Sequence, residues 1–396
     1  MKYLVVIPSG AVDEPVAELG DRTPLQAAHL PALDELARAG RMGTALTIPD
    51  GLSPSSEVSL PSALGYDPRA YRVPRGPVEA RARGLRVDAG EQVFRCDLVT
   101  VTDGRLVDLS AGYIDTAQAE PLIDSLNDAL ADREGRFHVG HSFRHLLVWK
   151  GAGPLRSVRT TASHLVLNRP ISRHLPRGRG SDPLRRLVRW SQDVLRDHDV
   201  NQVRRDLGEN PANAVWIYGH GPLPALPRFV ERFGLTGAIV AGTAFARGLG
   251  QLIGWRVVDV PGATGLLDTD LTAKAKAAID ALENHDLVCV HVEAADEAGH
   301  LGDAGRKIEV LEGLDRRVIA PLIERMRQER AYRILVLPDR ATPVARRTHV
   351  AGPTIFVICG TDIESSRGVA FDEVTAAEGE VRVERGWELM EYFVRR

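Results

Sequence analysis

An aspartate and a histidine lie four residues apart, directly after an apolar run. The segment from Val290 to His300 reads VHVEAADEAGH, with Asp296 and His300 at that spacing. If a helix begins after the run, both side chains lie on one face of it. A carboxylate and an imidazole together suit Zn²⁺ or Mn²⁺. The alternative is an aspartate that caps the helix and a surface histidine, with no metal.

A second aspartate follows the apolar run Ile334–Leu337. Asp339 comes directly after Pro338, and His349 follows in the same loop region. Ligands collect at the carboxyl ends of strands in parallel sheets, so Asp339 is a candidate metal ligand and His349 a candidate third partner for the Asp-His pair. The competing interpretation makes Asp339 a turn residue and gives His349 no role.

Ser56 stands before an apolar stretch and is followed by Glu57. A serine in this position can be a helix N-cap. It can also be a nucleophile at a helix N-terminus, where backbone N–H groups favour a phosphate. The residues alone leave both interpretations open.

Apolar runs that alternate with helical patterns must position these residues. The first run, Tyr3–Ile7, is too short for a signal peptide and predicts a buried strand. Strands alternating with helices predict an α/β protein with a mostly parallel sheet covered by helices. The later runs are Ala214–Tyr218, Ala238–Ala241, Val257–Val260, Leu287–Val292, Ile334–Leu337 and Thr354–Ile358.

The middle of the chain has a different pattern. Asp103 and Gly104 separate the runs Phe94–Thr102 and Arg105–Leu109, which is typical of a hairpin. A helical stretch and a further strand-like segment follow. We predict a smaller α+β cap domain at residues 76–205, inserted into a core of residues 1–75 and 206–396. Proline- and arginine-rich stretches at 68–77 and 169–186 are candidate linkers.

The composition is that of an ordinary globular protein. The net charge of −3 gives no electrostatic reason to bind nucleic acid or an anionic membrane. Three cysteines without CxxC spacing argue against a disulfide scaffold and against a thiolate zinc site. We therefore expect a cytoplasmic protein without a membrane span, and the oligomeric state is not predictable from these features.

Eight ordered segments are similar to those of one known family. They are LGYDP from Leu64, RGPVEA from Arg75, FRCDLVTV from Phe94, SAGYI from Ser110, FRHLLV from Phe143, NPANAVW from Asn210, VPGATGLLDT from Val260 and HVEAADEAGH from His291. The chain resembles the archaeal-type, cofactor-independent (2,3-bisphosphoglycerate-independent) phosphoglycerate mutases of the alkaline phosphatase superfamily. The resemblance implies an alkaline-phosphatase-like core with an inserted cap domain.

The family holds two divalent metals at the carboxyl ends of its strands. In this chain Asp296, His300 and His349 match the ligands of one of them. The resemblance therefore implies a divalent ion, Zn or Mn, at these three residues, and no use of 2,3-bisphosphoglycerate.

The second metal site of the family is altered in this chain. Ser56 matches the nucleophile and Asp339 one ligand, but Ser9 stands at a family aspartate and Arg340 at a family histidine. Arginine is always charged and has no acceptor atom, so it cannot serve as a metal ligand. We expect about one ion per chain, with Arg340 beside Ser9, Ser56 and Asp339 supplying positive charge to a phosphoryl group.

The resemblance also extends to residues of the inserted segment. His164 remains from a family His-Asp pair whose acidic member is replaced by Leu165, and it is a candidate catalytic residue. Arg75, Arg144 and Asn201 match an anion-binding cleft and are candidate substrate-binding residues. The alternative for each arginine is a solvated surface position.

Three functional hypotheses follow. The first is a phosphomutase of altered chemistry that acts on a phospho-carboxylate or a related small phosphorylated metabolite, in a specialised biosynthetic pathway. The second is a conventional mutase that converts 3-phosphoglycerate to 2-phosphoglycerate. The third is a catalytically inactive homologue with a binding or regulatory role.

Overall fold

The computed structural model describes residues 1–130, 134–155, 157–366, 368–379 and 381–395. The chain forms two compact units, one of residues 1–73 and 224–396 and one of residues 74–223. The second unit therefore ends later than the predicted bound at residue 205, because the strand Ala214–Tyr218 pairs within the second unit's sheet. The stretch 169–186 lies inside this unit, so its interpretation as a linker is wrong.

The first part of the core unit begins with a buried strand, as predicted. The second helix starts at Pro31, which is preorganised for a first helical turn, and ends before Gly40. The elements are β1 (Lys2–Pro8), β2 (Gly10–Val12), α1 (Pro24–Ala27), α2 (Pro31–Ala39), β3 (Arg41–Ala45) and α3 (Ser56–Ala63).

The inserted unit contains the predicted hairpin. Asp103 and Gly104 have φ angles of 48° and 70°, the left-handed conformation that a tight two-residue turn requires. The elements are α4 (Arg75–Ala82), β4 (Glu91–Thr102), β5 (Arg105–Asp108), α5 (Thr116–Leu130), β6 (Gly135–His141), β7 (Arg144–Lys150), α6 (Ala152–Leu155), α7 (Asp182–Leu195), α8 (Asp199–Asp206) and β8 (Ala214–Tyr218).

The last part of the core unit alternates strands and helices. Asp270 and Asp303 begin two of the helices by accepting hydrogen bonds from backbone N–H groups three residues later. The elements are α9 (Phe229–Phe233), β9 (Gly237–Ala241), α10 (Ala244–Leu252), β10 (Arg256–Val258), α11 (Leu271–Asn284), β11 (Leu287–Val292), α12 (Ala294–Leu301), α13 (Ala304–Leu314), α14 (Ala320–Met326), β12 (Tyr332–Val336), β13 (Thr354–Gly360), α15 (Glu373–Glu378), β14 (Val381–Val383) and α16 (Leu389–Val394).

The core unit is built on an eight-stranded sheet in the order β10-β9-β11-β1-β12-β13-β3-β14. The strands are parallel except that β13 runs antiparallel to both of its neighbours. Its central strands are apolar on both faces because helices cover both, and Leu4 and Val288 share one cluster with Ala278 of α11 and Leu322 of α14. The predicted α/β class with a mostly parallel sheet is confirmed.

The inserted unit has an antiparallel sheet of five strands. β5, β4, β7 and β6 follow one another, and β8 also pairs with β4. In the part of the chain that the structure describes, no helix combines the length and the hydropathy that crossing a bilayer requires.

Candidate active site

The carboxyl ends of three parallel strands lie side by side in the core unit. β11 pairs with one side of β1 as far as Val292 and Pro8, and β12 pairs with the other side. The backbone N–H of Ser9 then donates to the carbonyl oxygen of Val292 at 2.8 Å. The segments after these strands, including Ser9 and Asp339, therefore meet at one edge of the sheet, as predicted.

Asp339 is fully buried, and both of its carboxylate oxygens accept hydrogen bonds. The hydroxyl of Ser9 donates to Oδ1 at 2.6 Å. Oδ2 accepts from the hydroxyl of Ser59 at 2.6 Å and from Nη1 of Arg340 at 2.6 Å. The hydroxyl of Thr47 donates to the Asp339 carbonyl oxygen at 2.6 Å, which fixes the backbone. Asp339 is thus held by donors on three sides.

Arg340 connects Asp339 to Asp296. Its Nη2 donates to Oδ2 of Asp296 at 2.8 Å, while Nη1 remains on Asp339. Burial alone would lower the pKa of Arg340, but the two carboxylates outweigh burial and raise it. The same guanidinium, with help from two histidines, holds the pKa of Asp296 well below its usual range although burial opposes this. The result is one buried cation between two buried anions.

Asp296, His300 and His349 converge, as predicted. Asp296 and His300 lie on one face of α12, and His349 comes from the loop after β12. Nε2 of His300 is 3.1 Å from Nε2 of His349, and Nε2 of His349 is 3.3 Å from Oδ1 of Asp296. The ligand atoms of all three lie within 4.8 Å of one another.

The two histidines present their ring nitrogens in the form that a metal needs. Nδ1 of His300 lies 3.1 Å from the carbonyl oxygen of Arg347, which can only accept, so Nε2 carries the lone pair when the ring is neutral. Burial and Arg340 lower the pKa of His349 to about 4, against the opposing effect of Asp296. One carboxylate and two imidazoles therefore fit a divalent metal such as Zn²⁺ or Mn²⁺.

Ser56 is the first residue of α3 and is nearly buried, at 5 % exposure. The residue that contacts Asp339 and Arg340 from this helix is Ser59, one turn later. Sequence reasoning placed Ser56 itself beside Asp339, and the structure gives that contact to Ser59. Ser56 stays the candidate nucleophile because it lies at the helix N-terminus, where backbone N–H groups favour a phosphoryl group.

Two further hydroxyl residues in the site had no assigned role in the sequence analysis. Thr342 donates from its hydroxyl to Oδ1 of Asp296, and Ser59 donates to Asp339. Thr342 and Asp296 are 46 positions apart. No local spacing pattern points to such pairs, although the position of Thr342 three residues after Asp339 makes it a natural residue to test.

In the inserted unit, the candidate residue Arg75 lies at the end of a row of alternating charges. Arg75 lies 3.4 Å from Glu79, which lies 2.6 Å from Arg95. Nε of Arg95 donates to Oδ1 of Asp97 at 2.5 Å. Arg95 is buried and fully paired with the two carboxylates, whereas Arg75 is partly exposed at the end of the row. Arg75 therefore keeps the accessibility that a binding role needs.

Asp97, the last residue of this row, is next to the segments that carry His164 and Arg144. Ser163 donates from its hydroxyl to Oδ2 of Asp97 at 2.9 Å, which fixes the short helical turn that carries His164. Arg144 stands directly opposite Asp97 in the β4–β7 ladder, so both side chains share one face of the sheet. Asp97 is a buried carboxylate next to this turn that the sequence analysis did not single out.

Asn201 does not have the properties of a substrate ligand. It is fully buried, and its amide nitrogen donates to the carbonyl oxygens of Leu195 and Ala212 at 2.8 and 2.9 Å. Its oxygen accepts from the N–H of Ala212 at 2.8 Å. All of its polar atoms hold α8 against the next loop, so the predicted binding role is replaced by a structural one.

Known proteins are similar to this chain over nearly its whole length. A sequence model of the family described as "2,3-bisphosphoglycerate-independent phosphoglycerate mutase" matches residues 37–201. A protein with that name from Methanothrix thermoacetophila is 43 % identical over 96 % of this chain and 96 % of its own length. The one from Methanosarcina acetivorans is 40 % identical over the full length of both.

Solved structures are similar as well. The PH0037 protein from Pyrococcus horikoshii aligns with a TM-score of 0.78 at 26 % identity, covering 99 % of this chain and 96 % of that one. The cofactor-independent phosphoglycerate mutase from Thermoplasma acidophilum aligns with a TM-score of 0.59 at 28 % identity, covering 100 % and 99 %.

Proposed function

This chain belongs to the 2,3-bisphosphoglycerate-independent phosphoglycerate mutase family, and on that premise we propose that it interconverts 3-phosphoglycerate and 2-phosphoglycerate. The observation that carries the proposal is the convergence of Asp296, His300 and His349 at the strand edge that also holds Asp339. The chain is a phosphotransferase of the mutase type, and the identity of its substrate is the proposed part.

Asp296, His300 and His349 would hold the divalent metal on which such enzymes depend. When bound, the ion supplies positive charge that stabilises the phosphoryl group in transfer. Arg340 adds a fixed guanidinium beside it, in a buried setting where charge-assisted hydrogen bonds are strong.

We assign the nucleophile to Ser56. Its Oγ loses its proton and attacks phosphorus, the bond from phosphorus to the substrate oxygen breaks, and that oxygen takes up a proton. The neighbouring hydroxyl of the resulting glycerate then loses its proton and attacks the phosphoserine, and Ser56 regains a proton as the P–Oγ bond breaks. The covalent intermediate divides one difficult transfer into two steps.

We assign supporting roles to residues of the inserted unit. His164 carries the proton to and from the substrate hydroxyls, since the two ring nitrogens of an imidazole can donate and accept a proton. Arg75 and Arg144 bind the carboxylate and phosphoryl groups, because guanidinium groups bind such anions in a bidentate manner. We also propose a cytoplasmic location, which the three buried, unpaired cysteines fit.

A second candidate is transfer on a related phospho-carboxylate or another small phosphorylated metabolite, in a specialised biosynthetic pathway. The feature that favours it is the pair Ser9 and Arg340, which the family resemblance places at positions of metal ligands. An altered metal site changes the charge around the substrate and so can change which substrate is bound.

The deciding experiment uses phosphorus NMR to follow the conversion of 3-phosphoglycerate by the protein with Mn²⁺ and without 2,3-bisphosphoglycerate. We expect the 2-phosphoglycerate resonance to grow with the natural protein and with the control S62A, but not with S56A. Interconversion that persists in S56A, or that requires 2,3-bisphosphoglycerate, would contradict the proposal. A tenfold or higher kcat/KM for another phospho-carboxylate would favour the second candidate.

A further inference from the structure

Arg340 lies where two buried carboxylates face each other. It donates from Nη1 to Asp339 at 2.6 Å and from Nη2 to Asp296 at 2.8 Å. Arg340 is 2 % exposed, Asp339 0 % and Asp296 5 %. Two buried carboxylates this close to one guanidinium repel each other unless a cation lies between them. In this chain that cation is the guanidinium of Arg340.

We propose that the guanidinium of Arg340 takes the place of a second divalent ion, so that the protein binds one ion only, at Asp296, His300 and His349. Arg340 then serves as the second fixed positive charge for the phosphoryl group. The number of ions is independent of the proposed function, whereas the contact with a phosphoryl group rests on it.

The hydrogen bonds of Asp339 disfavour a metal ion at this carboxylate. Its Oδ1 accepts from Ser9, and its Oδ2 accepts from both Ser59 and Arg340. A metal ion at Asp339 would have to displace at least one of these donors. The displaced donor would stay in a buried setting without a partner, which is costly.

The residue types around Asp339 also disfavour a metal ion. A hydroxyl is a weak ligand for a divalent ion, and a guanidinium has five N–H donors and no acceptor. A cation at Asp339 would also lie next to the positive charge of Arg340, which is buried and therefore poorly screened. The second ion does not fit the residues present.

One nitrogen of the guanidinium, Nε, makes no hydrogen bond to the described residues. The N–H of Arg340 Nε is buried, and no residue in the described part of the chain accepts a hydrogen bond from it. An unused charged donor in a buried site is a position where an anionic oxygen binds. We assign this N–H to an oxygen of the phosphoryl group.

The Asp296 site differs from Asp339 because two imidazole ligands, His300 and His349, stand beside its carboxylate. Oδ1 of Asp296 lies 3.3 Å from Nε2 of His349 and Oδ2 lies 3.7 Å from Nε2 of His300. Thr342 and Arg340 orient the carboxylate from the other side. One ion can therefore bind here while Arg340 stays in place.

The first experiment counts metal in the natural protein. Purified protein is saturated with Mn²⁺, freed of unbound metal, and analysed by native mass spectrometry and elemental analysis. We expect about one ion per chain, lost in D296N and retained in D339N. Two ions per chain, with one lost in D339N, would overturn the proposal without any need for an engineered site.

The second experiment restores the ligands. The double variant S9D/R340H provides a carboxylate and an imidazole beside Asp339, and it should bind about one ion more than the natural protein. S9D and R340H alone should gain less, because each restores part of the shell. R333H is the matched control, since Arg333 is also buried but bonds only to backbone carbonyl oxygens in this part of the chain, so it should gain no ion.

The metal count tests the single-ion site, and the mutase assay tests the proposed function, so one proposal can be refuted while the other stands. One ion in a protein that converts no phosphoglycerate upholds the single-ion site and refutes the proposed function. Two ions in an active mutase refute the single-ion site and leave the proposed function standing. R340K adds a test of the phosphoryl contact: it keeps the charge but loses the Nε donor, so it should weaken binding of the phosphate analogue vanadate at least tenfold while the ion count stays at about one.

Discussion

The ammonium group of Lys307 donates a hydrogen bond of 3.0 Å to the carbonyl oxygen of Thr342, whose hydroxyl in turn donates to Asp296. Lys307 is completely buried and is paired with Asp13 at 2.6 Å. Burial lowers the pKa of Lys307, and Asp13 opposes that effect. The buried ion pair of Lys307 and Asp13 therefore contacts Thr342, the residue that orients the predicted metal ligand Asp296.

K307M should destabilise the core unit by about 3–5 kcal/mol, because it leaves the carboxylate of Asp13 buried without its cation. It should also weaken metal binding, since Thr342 loses a contact that fixes it. Urea denaturation and isothermal titration with Mn²⁺ measure the two effects. The double variant D13N/K307M removes both charges, so its loss of stability should be smaller than that of K307M alone; an equal or larger loss would show that the pair itself is not the cause.

S59A should lower the stability of the protein by about 1–3 kcal/mol, because the hydroxyl of Ser59 satisfies a buried carboxylate oxygen of Asp339. S62A is the matched control on the same helix. The hydroxyl of Ser62 is buried without a hydrogen-bond partner in the described part of the chain, so its removal should be neutral or slightly stabilising. Equal shifts in the thermal midpoints of the two variants would contradict this account.

R340Q should be more damaging than either serine variant. It removes the cation that two buried carboxylates share, so we expect a loss of about 3–5 kcal/mol and a large loss of phosphotransfer. R340K should recover part of the stability because it keeps the charge, but it offers no planar fork to bridge both carboxylates. Calorimetry of the three proteins tests the order natural, R340K, R340Q.

The stability of the inserted unit should fall in mild acid because of His145. This residue is completely buried, and burial together with Arg95 and Arg83 lowers the pKa of His145 to about 3. The unfolded chain takes up a proton near pH 6.5 while the folded chain does not, so stability is complete above pH 6.5 and declines as pH falls toward 3. The expected loss is on the order of a few kcal/mol.

H145N tests this pH dependence. Nδ1 of His145 accepts a hydrogen bond from the N–H of Gly140 at 3.0 Å, and the asparagine oxygen can replace that acceptor without titrating. Denaturant midpoints at pH 7 and pH 4.5 should differ less for H145N than for the natural protein. H141N, at an exposed position on β6, should leave the difference unchanged.

Local sequence determined many of the elements and the pairing of Asp296 with His300. Leu287–Val292 is a strand with the predicted bounds, because five of its six positions are apolar and all six are buried, which suits the interior of a covered parallel sheet. Asp296 and His300 share a helix face because their spacing is close to one helical turn. The approach of His349 to that pair followed from the family resemblance and not from spacing.

Tertiary structure alone decided which sheet takes a strand and which polar groups meet. Ala214–Tyr218 reads as an apolar strand, but an apolar run carries no information about its partner, and it pairs with β4 in the inserted unit. Ser59, Asp339 and Arg340 come from segments far apart in the chain, so their hydrogen bonds arise only when the sheet brings α3 and the loop after β12 together. The residue types at positions 9 and 340 predict, through the family resemblance, a changed metal ligand set. Packing decided that Arg340 bridges Asp339 and Asp296, because buried charges must find partners within reach.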